Sequence, residues 1–316
     1  MAIIQGTTGN DILTGGSEDD RIIGSAGDDT LSGGGGNNTL DYSGLGKPIT
    51  AFPGLIDKGG LGTDRTSNFS ELVGATGQAN GFDATGVSVS GGARIDINFA
   101  KNTFNVNSFQ RDGVAIPIPE VKVFNFVNAI GGPNDDRLVG SNTGGKLTGA
   151  GGNDTVIGGK GKDILTGTDS TARGVGEVDI LTGGGGRDRF VLGDSSGAYY
   201  VGQGNNDYAM ITDFNLRQDL LDLGNAKNIS FGIESSGTID IFSGDDPSSR
   251  DLIAKIQLKG GFLQEIKRAY QMGIGDRHTY FSGDLLANGG VFGSDKIGSQ
   301  FNIIVNGSDF TNTCQT

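Results

Sequence analysis

The 316-residue sequence is poor in the residues that staple or anchor most folds: one cysteine, six prolines, one histidine and no tryptophan. With Cys314 alone, no internal disulfide holds the chain. A single histidine, His278, excludes any zinc or nucleophile-histidine site that needs two. No run of 18 apolar residues occurs, so no helix of the usual length spans a membrane. The start, Met1-Ala2-Ile3-Ile4-Gln5, has neither a basic region nor an apolar stretch of signal-peptide length. We therefore expect either a cytosolic protein or export without cleavage at the N-terminus. Positive charge is also scarce. Lys plus Arg number 24 against 37 Asp plus Glu, a formal net charge of −13, which argues against nucleic acid or an anionic membrane surface as partner.

Glycine is what the chain has in abundance, 59 residues, without the strict third-residue period of collagen. Its distribution reveals a period of nine. From Gly6 the chain reads GTTGNDILT, GGSEDDRII, GSAGDDTLS, GGGGNNTLD. From Gly131 it reads GGPNDDRLV, GSNTGGKLT, GAGGNDTVI, GGKGKDILT, then, after an insertion at 167–173, GVGEVDILT and GGGGRDRFV. Position 6 is Asp11, Asp20, Asp29 and Asn38 in the first block. In the second it is Asp136, Gly145, Asp154, Asp163, Asp179 and Asp188. Position 8 is always apolar, from Leu13 to Phe190.

This pattern predicts very short strands at positions 7 to 9, with only position 8 pointing inward, joined by six-residue turns whose glycines allow close approach of backbone. Two units make one coil, so unit i stacks on unit i+2. Asp11 should face Asp29, and Asp20 should face Asn38. In the second block Asp136 should face Asp154, Asp154 face Asp179, and Asp163 face Asp188. Gly145 would face Asp163 with no oxygen to offer, and Asn38 offers only a neutral one. Stacked carboxylates repel unless a cation lies between them, and a hard cation taking 6–8 oxygens in irregular geometry is Ca²⁺ rather than Mg²⁺. Turn carbonyls at position 4, those of Gly9, Gly27, Gly36, Gly152, Gly161 and Gly186, face the same gap. Glu18 and Glu177 replace glycine at that position, where strain is expected.

The nonapeptide resembles that of the RTX family, G-G-x-G-x-D-x-U-x, which forms a calcium-loaded parallel β-roll. The resemblance implies an all-β fold: a right-handed parallel β-roll or β-solenoid with calcium in the turns and a β-rich C-terminal cap. It divides the chain into residues 1–41 (first roll block), 42–130 (metal-poor, wider solenoid coils), 131–191 (second roll block) and 192–316 (cap). Residues 42–130 show no Asp at the nonapeptide spacing, but 95–99, 104–107 and 121–126 alternate like strands, and Asn68–Gly74 echoes Asn125–Gly131. In that echo Gln78-Ala79 stands where the second copy has Asp135-Asp136. Residues 127–132 resemble the lead-in to the roll of serralysin-type proteases, whose H-E-x-x-H is absent here. Residues 190–194 and 207–223 resemble the closing segment of RTX β-rolls, particularly of cyanobacterial RTX-type proteins, which implies Asp194, Asp213 and Asp219 as further calcium ligands. Phe262–Met272 has helical periodicity.

No catalytic constellation emerges, so we do not expect an enzyme. The resemblance implies a secreted, calcium-binding structural or cell-surface protein with type I-like export. A carbohydrate- or protein-binding adhesin module is the second reading, and an RTX enzyme using the C-terminal region the third. Few residues precede the first repeat, so the end coil should expose Ile3 or Ile4, Leu13 and Ile22. That end invites a second copy, as a dimer or a head-to-tail filament, with a monomer as the remaining outcome.

Overall fold

The computed structural model describes residues 1–86, 94–107, 109–111, 114–116, 120–215, 218–233, 238–244 and 248–259, with four short strands between 293 and 310. Every regular element among them is a strand. The expected helix at 262–272, His278 and Cys314 lie outside the described residues. The chain divides into two compact units, residues 1–147 and 148–316. The division falls inside the second repeat block.

In the first unit, Ile3–Gln5, Arg21–Ile23, Thr39–Asp41, Glu71–Val73 and Val121–Phe124 pair in parallel, in that order. Ile12–Thr14, Thr30–Ser32 and Thr63–Ser67 form the facing parallel series. The register is the one that the nine-residue period demands: Ile4 lies beside Ile22 and Ile22 beside Leu40, while Leu13 lies beside Leu31. A three-residue strand places only its middle side chain inward. Ile22, Leu31 and Leu40 are accordingly buried, between two polar or half-exposed neighbours. Burial of each such side chain stabilises by about 1.5–3 kcal/mol. Ile22 is therefore not part of an exposed end, contrary to expectation. It is Ile3 and Ile12 that are exposed, at 68% and 83%, with Ile4 and Leu13 half-buried.

The segment expected to form successive wide coils is more varied. Coils do continue: Leu72 lies beside Leu40 and Val123 beside Leu72. Antiparallel hairpins interrupt them. Thr50–Phe52, Leu55–Asp57 and Thr63–Ser67 form a three-stranded meander. Arg94–Asn98 turns back on Thr103–Asn107 through Asn102, which adopts φ 56°. Asparagine tolerates that left-handed conformation better than most residues.

In the second unit, Thr155–Ile157, Val178–Thr182, Tyr208–Phe214 and Asp251–Leu258 pair in parallel. Ile164–Thr168, Arg189–Val191, Leu220–Asp222 and Ile303–Val305 form the facing series. The inward columns are Val156, Leu181, Ile211 and Ile256 on one side, and Leu165, Phe190 and Leu221 on the other. Both sides are closely covered by their neighbours. Ile239–Ser243 and Ile229–Ile233 then add to Asp251–Leu258 as antiparallel strands. Each unit is thus a parallel β-roll core extended by antiparallel hairpins.

Candidate metal centre: stacked turns with carboxylates and carbonyls

The turns between strands stack as the strands do. Close approach at position 4 explains the glycines there. Gly27 has φ 105°, and a Cβ on it would lie 2.4 Å from the Gly9 carbonyl oxygen. A side chain on Gly27 would push the two turns apart. Glu18 and Glu177, expected to be strained at the same position, are not in the left-handed region.

Stacking brings the position-6 side chains into register through one recurring hydrogen bond. Oδ1 of each position-6 residue accepts the backbone N–H of the position-6 residue one coil earlier. Asp11 N–H donates to Asp29 at 2.9 Å, and Asp20 N–H to Asn38 at 2.8 Å. Asp154 N–H donates to Asp179 at 2.7 Å, and Asp163 N–H to Asp188 at 3.0 Å. These are four of the pairs that the sequence predicts. Asp188 N–H donates in turn to Asp219 at 3.0 Å. Asp219, implied only by resemblance, therefore stands in the same column as the repeats. Asp136 follows the rule on a hairpin strand, accepting Ile95 N–H at 2.7 Å.

The second oxygen commonly accepts an N–H from the residue's own turn, four residues back: Thr7 for Asp11, Gly16 for Asp20, Gly132 for Asp136, Gly159 for Asp163 and Asn215 for Asp219. Each carboxylate thereby ties its own turn to the adjoining coil. In Asp20 the N–H donors Ala2 and Gly16 hold the carboxyl below the usual carboxylate range. In Asp188, Asp136 and Asp219 burial wins. Asp188 is pushed up to about 7, first by burial and further by Asp219, Asp163 and Asp213, and burial raises Asp136 to about 6. Buried carboxyls that would rather be neutral are what apposition without a metal should produce.

Asp194 and Asp213 are placed differently from the column residues. Asp194 sits in the small hairpin of Gly193–Asp194 with Gly197–Ala198, 2.9 Å from the Arg173 guanidinium. Asp213 accepts the N–H groups of Gly183 and Gly184 at 2.7 and 2.9 Å and lies 3.5 Å from the Lys259 ammonium.

Two position-6 residues and one further buried acid escaped the sequence reading. Residues 59–67 read GGLGTDRTS, and Asp64 Oδ1 accepts Asp29 N–H at 3.0 Å. The statement that 42–130 lacks such an acid is thereby corrected. The signal was the intact G-G-x-G-x-D, out of phase with the first block by one residue and carrying Thr66 at position 8. Residues 202–210 read GQGNNDYAM and carry the buried Asp207, but Tyr208 pairs with Val178, so that Ala209 and not Asp207 lies beside Asp179 and Asp207 stands two residues out of the column. Asp207 Oδ2 accepts Gly176 N–H at 3.2 Å, while its Oδ1 is buried with no hydrogen-bond partner. Residues 75–83, ATGQANGFD, place the buried Asn80 at position 6. The alignment of Gln78-Ala79 with Asp135-Asp136 was therefore displaced by one.

The two asparagines show what the space beside a position-6 oxygen is built for. Asn38 Nδ2 donates to the carbonyls of Gly35, Gly36 and Asn68, and Asn80 Nδ2 to those of Ala75, Gln78 and Asn125. Both Asn68 and Asn125 have positive φ, 61° and 65°, which explains the echo between their segments. In each case three carbonyl oxygens converge on one electropositive group. In the Asp29–Asp64 tier that group is the Lys58 ammonium, fully buried, with Ser25 O at 2.7 Å, Gly27 O at 2.6 Å and both carboxylates in contact. Where the position-6 residues are both Asp and no lysine intrudes, the same donor set is left for a metal. Among the described residues no three Asp, Glu, His or Cys side chains converge. A cation in these turns therefore draws on two carboxylates and on backbone oxygen, the hard all-oxygen set that suits Ca²⁺. The buried, unpartnered Asp207 Oδ1 fits the same requirement.

Comparison with known proteins agrees with this chemistry. A family model described as the RTX calcium-binding nonapeptide repeat, four copies long, matches residues 5–40 and 130–165. No curated protein matches the chain. Among solved structures the chain is similar to the extracellular lipase LipA from Serratia marcescens, with 18% identity, a TM-score of 0.29, and 82% of this chain covered. The match spans 38% of the lipase chain, and at that TM-score it carries no weight for fold or activity.

Proposed function

Because this chain is an RTX-repeat protein, we propose that it is a secreted calcium-binding β-roll whose folding is completed by Ca²⁺ outside the cell. The observation that carries the reading is the stacked pair of position-6 carboxylates with turn carbonyls beside them, as in Asp163 and Asp188. Bound Ca²⁺ supplies the positive charge that lets such pairs stack. The chain's own part is to present the oxygens: Asp11 with Asp29, Asp154 with Asp179, Asp163 with Asp188, and Asp188 with Asp219. The inward layer of the repeats is one apolar side chain per nine residues. Ordering a residue costs about 1–2 kcal/mol, so that layer alone does not offset chain entropy, and metal binding becomes folding free energy. The test is a calcium titration of the chelated full-length chain by circular dichroism. The β-signal should rise at about 10⁻⁴–10⁻³ M, the range of extracellular modules. A full signal and unchanged melting temperature in excess chelator would refute the reading.

The finer assignment is a structural or surface role without a catalytic step, exported by a type I-like route. Retained export after deletion of residues 273–316 would refute that route. Self-association is supported by exposed Ile3 and Ile12 on strands that, among the described residues, have a parallel neighbour on one side only. Light scattering in saturating Ca²⁺ should show assemblies that an Ile12→Lys change abolishes. A monomer at all concentrations would refute end-to-end assembly. Binding of a glycan or protein along the roll remains the second reading, favoured if a glycan array gives a saturable hit.

A further inference from the structure

Lys58 is an anomaly in an acidic molecule: its ammonium is fully buried. It directly precedes the turn Gly59-Gly60-Leu61-Gly62-Thr63-Asp64 and caps it, its N–H donating to Gly62 O at 3.0 Å. That turn lies tightly on the turn 24–29 below it. Gly62 has φ 111°, and a Cβ there would lie 2.2 Å from the Gly27 carbonyl oxygen. Asp64 stands to Asp29 as Asp29 stands to Asp11, joined by the same backbone-to-Oδ1 hydrogen bond. The Asp29–Asp64 tier thus has every feature of the calcium-type tiers.

Its cation is already present. Around Lys58 Nζ lie Ser25 O at 2.7 Å, Gly27 O at 2.6 Å, Asp29 Oδ2 at 3.3 Å and Asp64 Oδ1. Ser25 and Gly27 are positions 2 and 4 of their nonapeptide, and the latter is the carbonyl that the repeat offers to metal. Four oxygens surround a group with only three protons to donate. A spherical cation would use all four at once. The remaining oxygen of Asp64 is held by the buried Tyr42 hydroxyl at 2.6 Å, so the cage is closed on that side by a neutral donor.

We propose that Lys58 is a tethered replacement for a calcium ion. The cage of Ser25 O, Gly27 O, Asp29 and Asp64 is a cation site whose occupant is the chain's own ammonium. This tier takes no Ca²⁺, keeps its shape without it, and becomes a divalent-cation site when the ammonium is removed. The inference rests on the reading that Ca²⁺ fills the neighbouring turns. A wild-type chain that bound no Ca²⁺ would defeat that reading. The inference itself is defeated by results on the variant while wild-type binding stands.

The experiment uses the full-length chain, wild type and Lys58→Met, with two readouts. Calcium stoichiometry is measured by equilibrium dialysis and elemental analysis. Amide exchange of residues 61–67, which belong to this tier and not to the Asp11–Asp29 tier, is measured in chelator and in Ca²⁺. In the wild type, protection of these residues should be the same in both conditions. In Lys58→Met it should fall by about tenfold or more in chelator, because two carboxylates are left buried without a cation. It should return in Ca²⁺, with one more Ca²⁺ bound per chain. A wild-type segment that exchanges freely in chelator, or a variant that gains no Ca²⁺, would overturn the proposal. Lys58→Met combined with Asp64→Asn provides the control: it should restore protection in chelator without adding a site. If the single variant failed to fold even in Ca²⁺ while the double variant folded, the cage would be shown not to accept metal, and the proposal would fall.

Discussion

The two units share one turn architecture and fill it differently. In the second unit the columns are acidic: Asp154 and Asp179 on one side, Asp163, Asp188 and Asp219 on the other. Lys259 reaches Gly184 O and Asp213 from a half-exposed position. In the first unit the Asp11–Asp29 pair is followed by a tier closed by Lys58, and Asp20 is followed by Asn38, whose amide plugs its own turn. The comparison teaches that the nonapeptide turn requires an electropositive group at its centre, not calcium as such. An ammonium, an amide N–H₂ and a metal ion are three ways of meeting that requirement. They differ in whether the cation can be withdrawn.

Chelation should therefore separate the units, and this is the largest effect we expect. With Ca²⁺ removed, residues 154–222 should become open to proteolysis and rapid amide exchange, whereas residues 29–83 should retain protection. Equal loss in both units would break the comparison. Core truncation should act on the same contrast. Leu165→Ala, at a fully buried position-8 site, should cost about 2–5 kcal/mol in Ca²⁺. Leu13→Ala, half-buried at the same position of its repeat, should cost well under that. Urea unfolding monitored by circular dichroism would compare the two.

How much of this was legible in the sequence follows from what a period can encode. Position 8 and position 6 repeat every nine residues, so Ile22 under Leu40 and Asp163 under Asp188 could be placed before any coordinates. A period carries no information across a change of phase. Asp64 escaped because its turn starts one residue out of step, after a hairpin has taken up the chain between the two coils. Asp207 escaped because it stands two residues out of the repeat's register, Ala209 rather than Asp207 lying beside Asp179. Lys58 could not be read at all from the repeat, since its role depends on a side chain folding back beneath its own turn. The hairpin at Asn102 was hidden for a related reason: alternation marks a strand but not the direction of its neighbour.

Asn38→Asp would sharpen the comparison by making one self-plugged turn like its acidic counterparts. The change removes donors to the Gly35, Gly36 and Asn68 carbonyls and adds a buried charge. Loss of a buried donor costs about 1–3 kcal/mol. Stability in chelator should fall by that order and recover in Ca²⁺, with tighter binding at the Asp20 tier. A variant equally stable in chelator would show that the amide does not act as a plug.

The smallest effect concerns protons, which compete with calcium for the same oxygens. Asp188 is raised to about 7 and Asp136 to about 6, in both cases chiefly by burial. An unfolded aspartate titrates near about 3.9. Between these values the folded chain holds protons that the unfolded chain has released, so stability in chelator should fall as pH rises from about 4 to about 7. Self-repulsion in a chain of net charge −13 acts in the same direction. Asp20, held low by the N–H groups of Ala2 and Gly16, opposes it at the acid end, since its contribution is lost as pH falls. In Ca²⁺ the sign should reverse, because binding requires the deprotonated carboxyls and releases their protons. The measurement is the urea midpoint at pH 5 and pH 7.5, with and without Ca²⁺. The midpoint should be higher at pH 5 in chelator and higher at pH 7.5 in Ca²⁺. An Asp188→Asn change should flatten the chelator dependence in the second unit, because the asparagine keeps the shape and has no proton to lose. If the dependence were unchanged in that variant, Asp188 would not be the group that couples protons to folding.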